Sequence, residues 1–336
     1  MFWCMLMTAG LLLVGLPYSV CVAAQWYYGW PDKPGYKKYI EALNPRRIYR
    51  LTIVTLDLLK YFKYGILHFQ MKSWYKNEEN SKYYQKGIVY GRKGKKLDLY
   101  YPPKRNKSEA TLAPVVVFIY GGAWSSGERS LYCLLARQMT EELNTTVICP
   151  DYCTYPEDNI IVIGHSSGAH LATPATLFLT DARDELFIDS KKQRETASSI
   201  RGVIGLSGIY NIVEYYEHEQ KRGIEYLSSM TRAMNGEENF PYYSPVHIVK
   251  KLSKEQLSRV PQFVLLHGDC DIVVLADSSV KFYELLTSLS VKVSLHLLGG
   301  VHHNEMVIDL MLPSRPYYRP IFRCIQQEFR KLLGPS

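Results

Sequence analysis

The sequence predicts an α/β fold with a mostly parallel central sheet and helices on both faces. The runs 114–120 and 160–163 carry no charge and are rich in β-branched residues, which is typical of strands buried on both faces. Stretches with helical character, such as 129–142 and 277–288, separate the strands. A chain of 336 residues that is 47% hydrophobic is long enough for one large core. We therefore expect one α/β domain preceded by an N-terminal extension.

The extension begins with an uncharged segment over residues 1–30, which we interpret as a transmembrane anchor. Met1–Ala24 is long enough to span a bilayer, which takes about 20 apolar residues. The aromatic residues that follow at 26–30 are typical of a membrane interface. A cleaved signal peptide stays open as the alternative, because 22–24 has the small residues of a cleavage site, although a basic n-region is lacking.

Residues 31–82 form a basic, amphipathic segment and a linker, which we expect to lie close to a membrane. Its early part is dense in lysine and arginine: Lys33, Lys37, Lys38, Arg46, Arg47 and Arg50. Apolar residues recur at helical spacing from 48 to 74, which predicts an interfacial helix or, equally, a helix packed on the globular domain. The membrane is thus a predicted partner, and the side of it on which the following domain lies stays open.

Charge and cysteine content exclude several classes of function. The net charge of +8 is spread along the chain without a long basic block, so nucleic acid is not an expected partner. The seven cysteines form no C-x-x-C pair, and H-E-x-x-H is missing from the sequence, so neither a metal nor another cofactor is expected. An odd cysteine number in a chain of this size also argues against a disulfide framework.

The motif Gly-His-Ser-Ser-Gly at 164–168 directly follows a predicted buried strand, and residues that favour a helix follow it. Its glycines permit a tight turn and close helix–strand packing, which would leave the Ser166 hydroxyl exposed on a strained turn. This strand–turn–helix context predicts Ser166 as a nucleophile. We predict that His165 and Ser167 contribute to oxyanion and substrate binding, with the Ser167 N–H as one hydrogen-bond donor to the oxyanion.

A second glycine-rich turn, Gly121-Gly122-Ala123, follows the strand at 114–120. Two glycines after a buried strand allow consecutive N–H groups to point into a cavity. Acyl transfer needs such donors where negative charge develops on the carbonyl oxygen. We therefore predict that Gly121, Gly122 and Ala123 contribute to an oxyanion hole.

Two later loops supply an acid and a base. Asp271 follows the predicted strand at 262–268, and His303 follows the strand at 291–298. Asp269 and His302 are close competitors in the same loops. The chain order Ser, Asp, His, with each residue after a strand, is the order of an α/β-hydrolase, so we predict a catalytic domain of that fold over residues 83–336. His303 is the expected base, and Asp271 is expected to orient it.

These motifs resemble those of the isoprenylcysteine methylesterases. The resemblance runs from about residue 87 to 304 and also includes Leu97-Asp98-Leu99-Tyr100 and Gly205-Leu206-Ser207-Gly208. It implies hydrolysis of a methyl ester on a prenylated cysteine, a small lipophilic substrate, at endoplasmic reticulum or Golgi membranes. Kynurenine formamidases and arylacetamide deacetylases keep a similar core, so a formamidase or amidase activity stays open.

The chain departs from the family between the strands at 145–152 and 159–165. Only residues 153–158 remain there, whereas a parallel crossover takes a dozen or more residues. We therefore expect one of the two strands to leave its place, or the sheet edge and the turn at 164–168 that carries Ser166 (the elbow) to shift. The alternative function is then a catalytically impaired hydrolase fold that acts as a binding protein.

Overall fold

A computed structural model describes most of the chain and divides it into two compact units. One unit comprises Met1–Phe69 with Glu214–Glu237, and the other comprises Gln70–Val213 with Glu238–Ser336. The described residues are 15, 18–27, 37–59, 65–90, 95–103, 114–122, 128–151, 160–183, 186 and 188–333.

Within the described residues, the second unit contains one eight-stranded sheet with the strand order β1-β2-β4-β3-β5-β6-β7-β8. β1 and β2 are antiparallel to each other, and β2 is antiparallel to β4, whereas the pairs from β4 through β8 are parallel. The predicted mostly parallel sheet is thus confirmed. The strands are β1 Tyr84–Val89, β2 Lys96–Tyr100, β3 Val115–Ile119, β4 Thr146–Pro150, β5 Ile160–His165, β6 Ile200–Leu206, β7 Gln262–Gly268 and β8 Val293–Leu298.

The central strands β3 and β5 are buried at every position. Their uncharged, β-branched sequences suit this environment because helices cover both faces of a parallel sheet. Val117 pairs with Ile148 on one side and with Val162 on the other, so apolar side chains continue across the sheet. This central part carries the glycine-rich turns that follow β3 and β5.

The expected displacement around the short connection is wrong, because β3 lies between β4 and β5 with both neighbours in parallel register. Val115 pairs with Thr146 of β4 and with Ile160 of β5. The end of β4 and the start of β5 are thus about 16 Å apart, from a rise of ~3.3 Å per residue and a strand spacing of ~4.8 Å. Nine intervening residues can reach about 30 Å, so their length permits this arrangement. Residues 152–159 themselves lie outside the described residues.

Helices accompany the strands in the second unit. The predicted helix at 277–288 is found as Asp277–Ser288, and 129–142 is found as a 3-10 turn and a helix. The C-terminal helix buries Ile321, Ile325 and Phe329, as its apolar spacing predicts. In the described part of this unit, the α-helices of four residues or more are Cys133–Leu143, Ser167–Asp181, Ser190–Ser199, Phe240–Tyr243, Pro245–Val249, Lys254–Arg259, Asp277–Ser288, Glu305–Ile308 and Tyr318–Leu333. Two further helices, Gly65–Lys76 and Ile212–Arg222, have residues in both units.

The first unit joins the N-terminal helices to the later segment Glu214–Glu237. Its helices include Lys37–Glu41, Pro45–Leu59 and Met230–Ala233. A small core of buried side chains contains Cys21, Val22, Ile48 and Leu51, with Leu227 packed against it. Arg47 forms an ion pair with Glu225 at 3.5 Å. The predicted amphipathic segment therefore buries at least part of one face against protein, while Tyr49 and Ile53 in the same helix are exposed.

None of the helices in the described part of the chain is long and apolar enough to cross a membrane. Residues 18–27 of the predicted 1–30 anchor are helical, and residues 1–14, 16–17 and 28–30 lie outside the described residues. The anchor therefore stays a prediction.

Candidate active site

Ser166 occupies a sharp turn between β5 and the helix Ser167–Asp181. Its backbone has φ 55° and ψ −123°, which a residue with a side chain rarely adopts. The flanking glycines are needed because the chain is crowded there. A Cβ at Gly168 would lie 2.2 Å from the Ile119 carbonyl oxygen, and one at Gly164 would lie 2.6 Å from the Ala169 nitrogen. The turn therefore has the strained geometry that the motif predicts.

The structure brings Ser166, His303 and Asp271 into one hydrogen-bonded chain. The Nε2 of His303 lies 3.0 Å from the Oγ of Ser166, and its Nδ1 lies 2.7 Å from the Oδ2 of Asp271. All three residues are buried. Because a carboxylate only accepts hydrogen bonds, His303 donates through Nδ1, which leaves Nε2 to accept from the serine hydroxyl.

Hydrogen bonds to its oxygens and two neighbouring histidines favour the ionised form of Asp271. Its Oδ1 accepts hydrogen bonds from the N–H groups of Val273 and Val274, each at 2.9 Å. Burial alone would raise its pKa, but His303 and His267 beside it hold that pKa well below its usual range. The competitor Asp269 instead accepts from the N–H of Gly300 at 2.7 Å.

The turn after β3 lies against the elbow. A Cβ at Gly121 would meet the His165 carbonyl oxygen at 2.8 Å, so only glycine fits this close approach. The N–H of Gly122, a predicted oxyanion donor, donates to the Ser167 hydroxyl at 3.1 Å. Ser167 begins a helix, where backbone N–H groups lack partners within the helix. Ala123 lies outside the described residues.

His165 contacts the base directly. Its Nε2 lies 3.1 Å from the carbonyl oxygen of His303, so this nitrogen carries the proton and donates. The two rings are 4.9 Å apart. Burial, together with the neighbouring His303, lowers the pKa of His165 to about 3. His165 is therefore a neutral donor at ordinary pH, and its Nε2–H contacts the loop of His303.

The sequence also supplies His267, to which motif reasoning assigned no role. Its Nε2 lies 3.2 Å from the Oδ2 of Asp271. The signal was available in the spacing His-Gly-x-x-Asp, which places His267 at the end of β7 and Asp271 in the following loop. Spacing alone does not show that the two side chains meet.

Comparison with known proteins agrees with this fold. The chain matches the BD-FAE family model over residues 151–286. It is 31% identical to isoprenylcysteine alpha-carbonyl methylesterase ICME of Arabidopsis thaliana, over 68% of this chain and 58% of that protein. It is 30% identical to the probable isoprenylcysteine alpha-carbonyl methylesterase ICME of Oryza sativa subsp. japonica, over 67% and 59%. The chain thus spans less than two thirds of the length of these relatives.

Solved structures show the same fold at low identity. Esterase B from Lactobacillus Rhamnosis has a TM-score of 0.57 and 17% identity, covering 85% of this chain and 96% of that one. Carboxyl esterase 2 from Tuber melanosporum has a TM-score of 0.54 and 16% identity, covering 74% and 85%. The chain is thus a homologue of the isoprenylcysteine methylesterases, and the solved structures show that it has the fold of the α/β-hydrolases.

Proposed function

We propose that the chain is a serine carboxylesterase. The observation that carries this proposal is the hydrogen-bonded chain from Ser166 through His303 to Asp271, with the serine on a strained elbow. A hydroxyl is a weak nucleophile by itself and becomes an effective one beside an oriented base. The low pKa of Asp271 favours the ionised carboxylate that this arrangement needs.

In the first half of the proposed reaction, the Ser166 Oγ attacks the ester carbonyl carbon while its proton passes to the His303 Nε2. The carbonyl oxygen takes the negative charge and accepts from the Ser167 N–H. The Gly122 N–H adds a second donor once it leaves the Ser167 hydroxyl, to which it donates in this structure. The tetrahedral intermediate then collapses. The bond to the leaving alcohol breaks, the alcohol takes the proton from His303, and an acyl-serine remains.

In the second half, water attacks the acyl carbon while His303 removes its proton. The intermediate collapses again, the bond to the Ser166 Oγ breaks, and His303 returns the proton to that oxygen. A carboxylic acid leaves, and the free enzyme is restored. Throughout, Asp271 accepts the Nδ1–H of His303 and stabilises the transient imidazolium without taking its proton.

We infer that the substrate is a methyl ester, of the kind carried by prenylated cysteine, and that methanol is the released alcohol. The names of the relatives at 28–31% identity support this class. An amidase uses the same elbow, so the ester preference depends on these names rather than on the site. The alternative of a catalytically impaired hydrolase fold was argued from an expected displacement of β4 or β5. Both strands lie beside β3, so that argument no longer supports it.

A lipophilic substrate suits an enzyme that works at a membrane surface, and we propose membrane association, at endoplasmic reticulum or Golgi membranes. Exposed aromatic side chains in the first unit support it: Trp26, Tyr27, Tyr39, Tyr49 and Phe69. Aromatic rings are favoured at the membrane interface. Co-sedimentation with phosphatidylserine vesicles, compared between the wild type and a Trp26→Ser/Tyr27→Ser variant, tests this part of the proposal.

Fluorophosphonate labelling tests the esterase proposal. We expect the wild type to be labelled and Ser166→Ala to be unlabelled. Ser207→Ala is the matched control, because Ser207 is also buried and has a positive φ of 49° at the end of the neighbouring strand. Labelling that persists in Ser166→Ala contradicts the proposal. Parallel turnover of a methyl ester and a formanilide then separates esterase from amidase.

A further inference from the structure

His267 is a buried histidine that the proposed reaction does not use. It lies on β7, four residues before Asp271, and its side chain is 0% exposed. Its Nδ1 lies 2.7 Å from the Oγ of Ser279. Its Nε2 lies 2.9 Å from the carbonyl oxygen of Val274 and 3.2 Å from the Oδ2 of Asp271. Each ring nitrogen therefore has polar partners, and the partners of Nδ1 and of Nε2 lie on opposite sides of the ring.

These partners determine where the proton of the ring lies. A carbonyl oxygen and a carboxylate oxygen are both acceptors, so Nε2 must carry the hydrogen and donate. The Ser279 hydroxyl can donate to Nδ1 when that nitrogen carries none. A hydrogen on Nε2 thus gives both nitrogens of the buried ring a partner, as burial requires.

The same contacts complete the surroundings of Asp271. Its Oδ2 receives the Nδ1–H of His303 and also lies 3.2 Å from the Nε2 of His267, whose shorter contact is the Val274 carbonyl oxygen at 2.9 Å. Its Oδ1 receives two backbone N–H groups, from Val273 and Val274. An ionised carboxylate has about four lone-pair sites. Hydrogen bonds from Val273, Val274 and His303 take three of them, and His267 lies near enough to share its Nε2–H with the remaining one.

We propose, resting on the esterase function proposed above, that His267 is a positioning residue that shares its Nε2–H between the Val274 carbonyl and the Oδ2 of Asp271 and so orients the acid toward His303. A carboxylate that loses one donor in a buried site can rotate, and the ring of His303 then loses its fixed orientation. The hydrogen bond from His267 is also among the causes that keep the pKa of Asp271 low.

The opposing interpretation is that His267 is only a satisfied core residue that joins β7 to the helix Asp277–Ser288 through Ser279. The two interpretations differ in which ring nitrogen matters. The amide of a glutamine reaches the place of Nε2 and can donate to Asp271. The shorter asparagine reaches only the place of Nδ1, on the side of Ser279. Both variants are polar and similar in volume, which makes them a matched pair.

The test compares kcat and KM of the full chain for a soluble aryl ester in the wild type, His267→Gln and His267→Asn. We expect His267→Gln to keep kcat within about 3-fold and His267→Asn to lose about 10- to 100-fold, the effect of a misplaced catalytic group. KM stays unchanged in both, because His267 does not contact substrate. Equal kcat in the two variants overturns the proposal, as does a change confined to KM.

A control for loss of stability is His296→Asn. His296 also pairs with a buried carboxylate, Glu328, at 3.1 Å, on the neighbouring strand β8. We expect this variant to be less stable with kcat unchanged. If His267→Asn does not fold, Ser279→Ala provides the test instead. This variant leaves the Nε2 donor of His267 in place, so the proposal expects its kcat to match the wild type. A loss of kcat in Ser279→Ala overturns it. A wild type without Ser166-dependent labelling contradicts the esterase function instead, so the two failures are distinguishable.

Discussion

The Nε2–H of His165 donates to the backbone carbonyl oxygen of His303 at 3.1 Å. The residue that precedes the proposed nucleophile thereby holds the loop that carries the proposed base. The two residues are 138 positions apart in sequence. They meet because the end of β5 and the loop after β8 both lie at the carboxyl ends of the parallel strands.

Replacing His165 tests this link. We expect His165→Phe to lower kcat about 10-fold with little change in KM, because the loop of His303 loses a buried hydrogen bond. His165→Gln, whose amide can donate to the same carbonyl, should keep most of the activity. Steady-state kinetics on folded protein measure both. A wild-type kcat in His165→Phe would show that the contact does not position the base.

Acid should destabilise the protein through buried histidines. Burial lowers the pKa of His165 to about 3 and that of His170 to about 4, whereas both titrate near 6.5 in the unfolded chain. As the pH falls below about 6.5, the unfolded state binds protons that the folded state does not. Each residue then removes ~1.4 kcal/mol of stability per pH unit, until the pH reaches its folded pKa.

Urea unfolding at pH 7, 6 and 5 measures this effect. The variant His170→Gln removes one of the two sites and should flatten the dependence of stability on pH. Asp271 acts in the same direction at lower pH, because its lowered pKa stabilises the fold above about pH 3.9 and this contribution is lost as the pH falls further. Identical slopes in the wild type and His170→Gln would contradict the assignment.

The strained turn at Ser166 should be relieved by glycine. The conformation with φ 55° and ψ −123° costs a residue with a Cβ roughly 1–3 kcal/mol, whereas glycine adopts it freely. Glycine also has more unfolded-state entropy to lose, about 1 kcal/mol relative to alanine. We therefore expect Ser166→Gly to be about 1 kcal/mol more stable than Ser166→Ala in urea unfolding, with both inactive. Greater stability of the alanine variant would argue against the strain.

An ion-pair network behind the β3 turn should be important for stability. Arg129 contacts the Oδ1 of the fully buried Asp98 at 3.0 Å and the Oδ2 of Asp151 at 2.5 Å. Removing Arg129 leaves the Asp98 carboxylate buried without its cation. We expect Arg129→Met to lower the unfolding free energy by about 3 kcal/mol.

The double variant Arg129→Met/Asp98→Asn provides the control for that prediction. Neutralising Asp98 removes the uncompensated charge, so the double variant should recover part of the loss. Strict additivity of the two single substitutions in urea unfolding would show that the two side chains are not coupled.

The sequence by itself determined the elements whose structure follows from local chemistry. Uncharged β-branched runs predicted β3 and β5, because only a strand covered on both faces buries every residue. Gly164 and Gly168 predicted the elbow, since the crowded turn excludes a Cβ.

The sequence predicted Asp271 and His303 with close competitors beside them, and the tertiary structure distinguished between the neighbours in each loop. Asp269 and Asp271 are chemically alike, and so are His302 and His303. The structure places Asp271 and His303 in one chain with Ser166 and directs Asp269 to Gly300. Spacing does not carry this information, because the direction of a loop side chain depends on packing between distant strands.

The tertiary structure also decided the outcome of the short connection and the place of the segment 214–237. Strand pairing on both sides of β3 kept β4 and β5 in the sheet, where length rules alone predicted a displacement. The segment 214–237 joins the N-terminal helices through Arg47–Glu225 and a shared apolar core. Both results depend on contacts between residues far apart in the chain, which local pattern and periodicity do not encode.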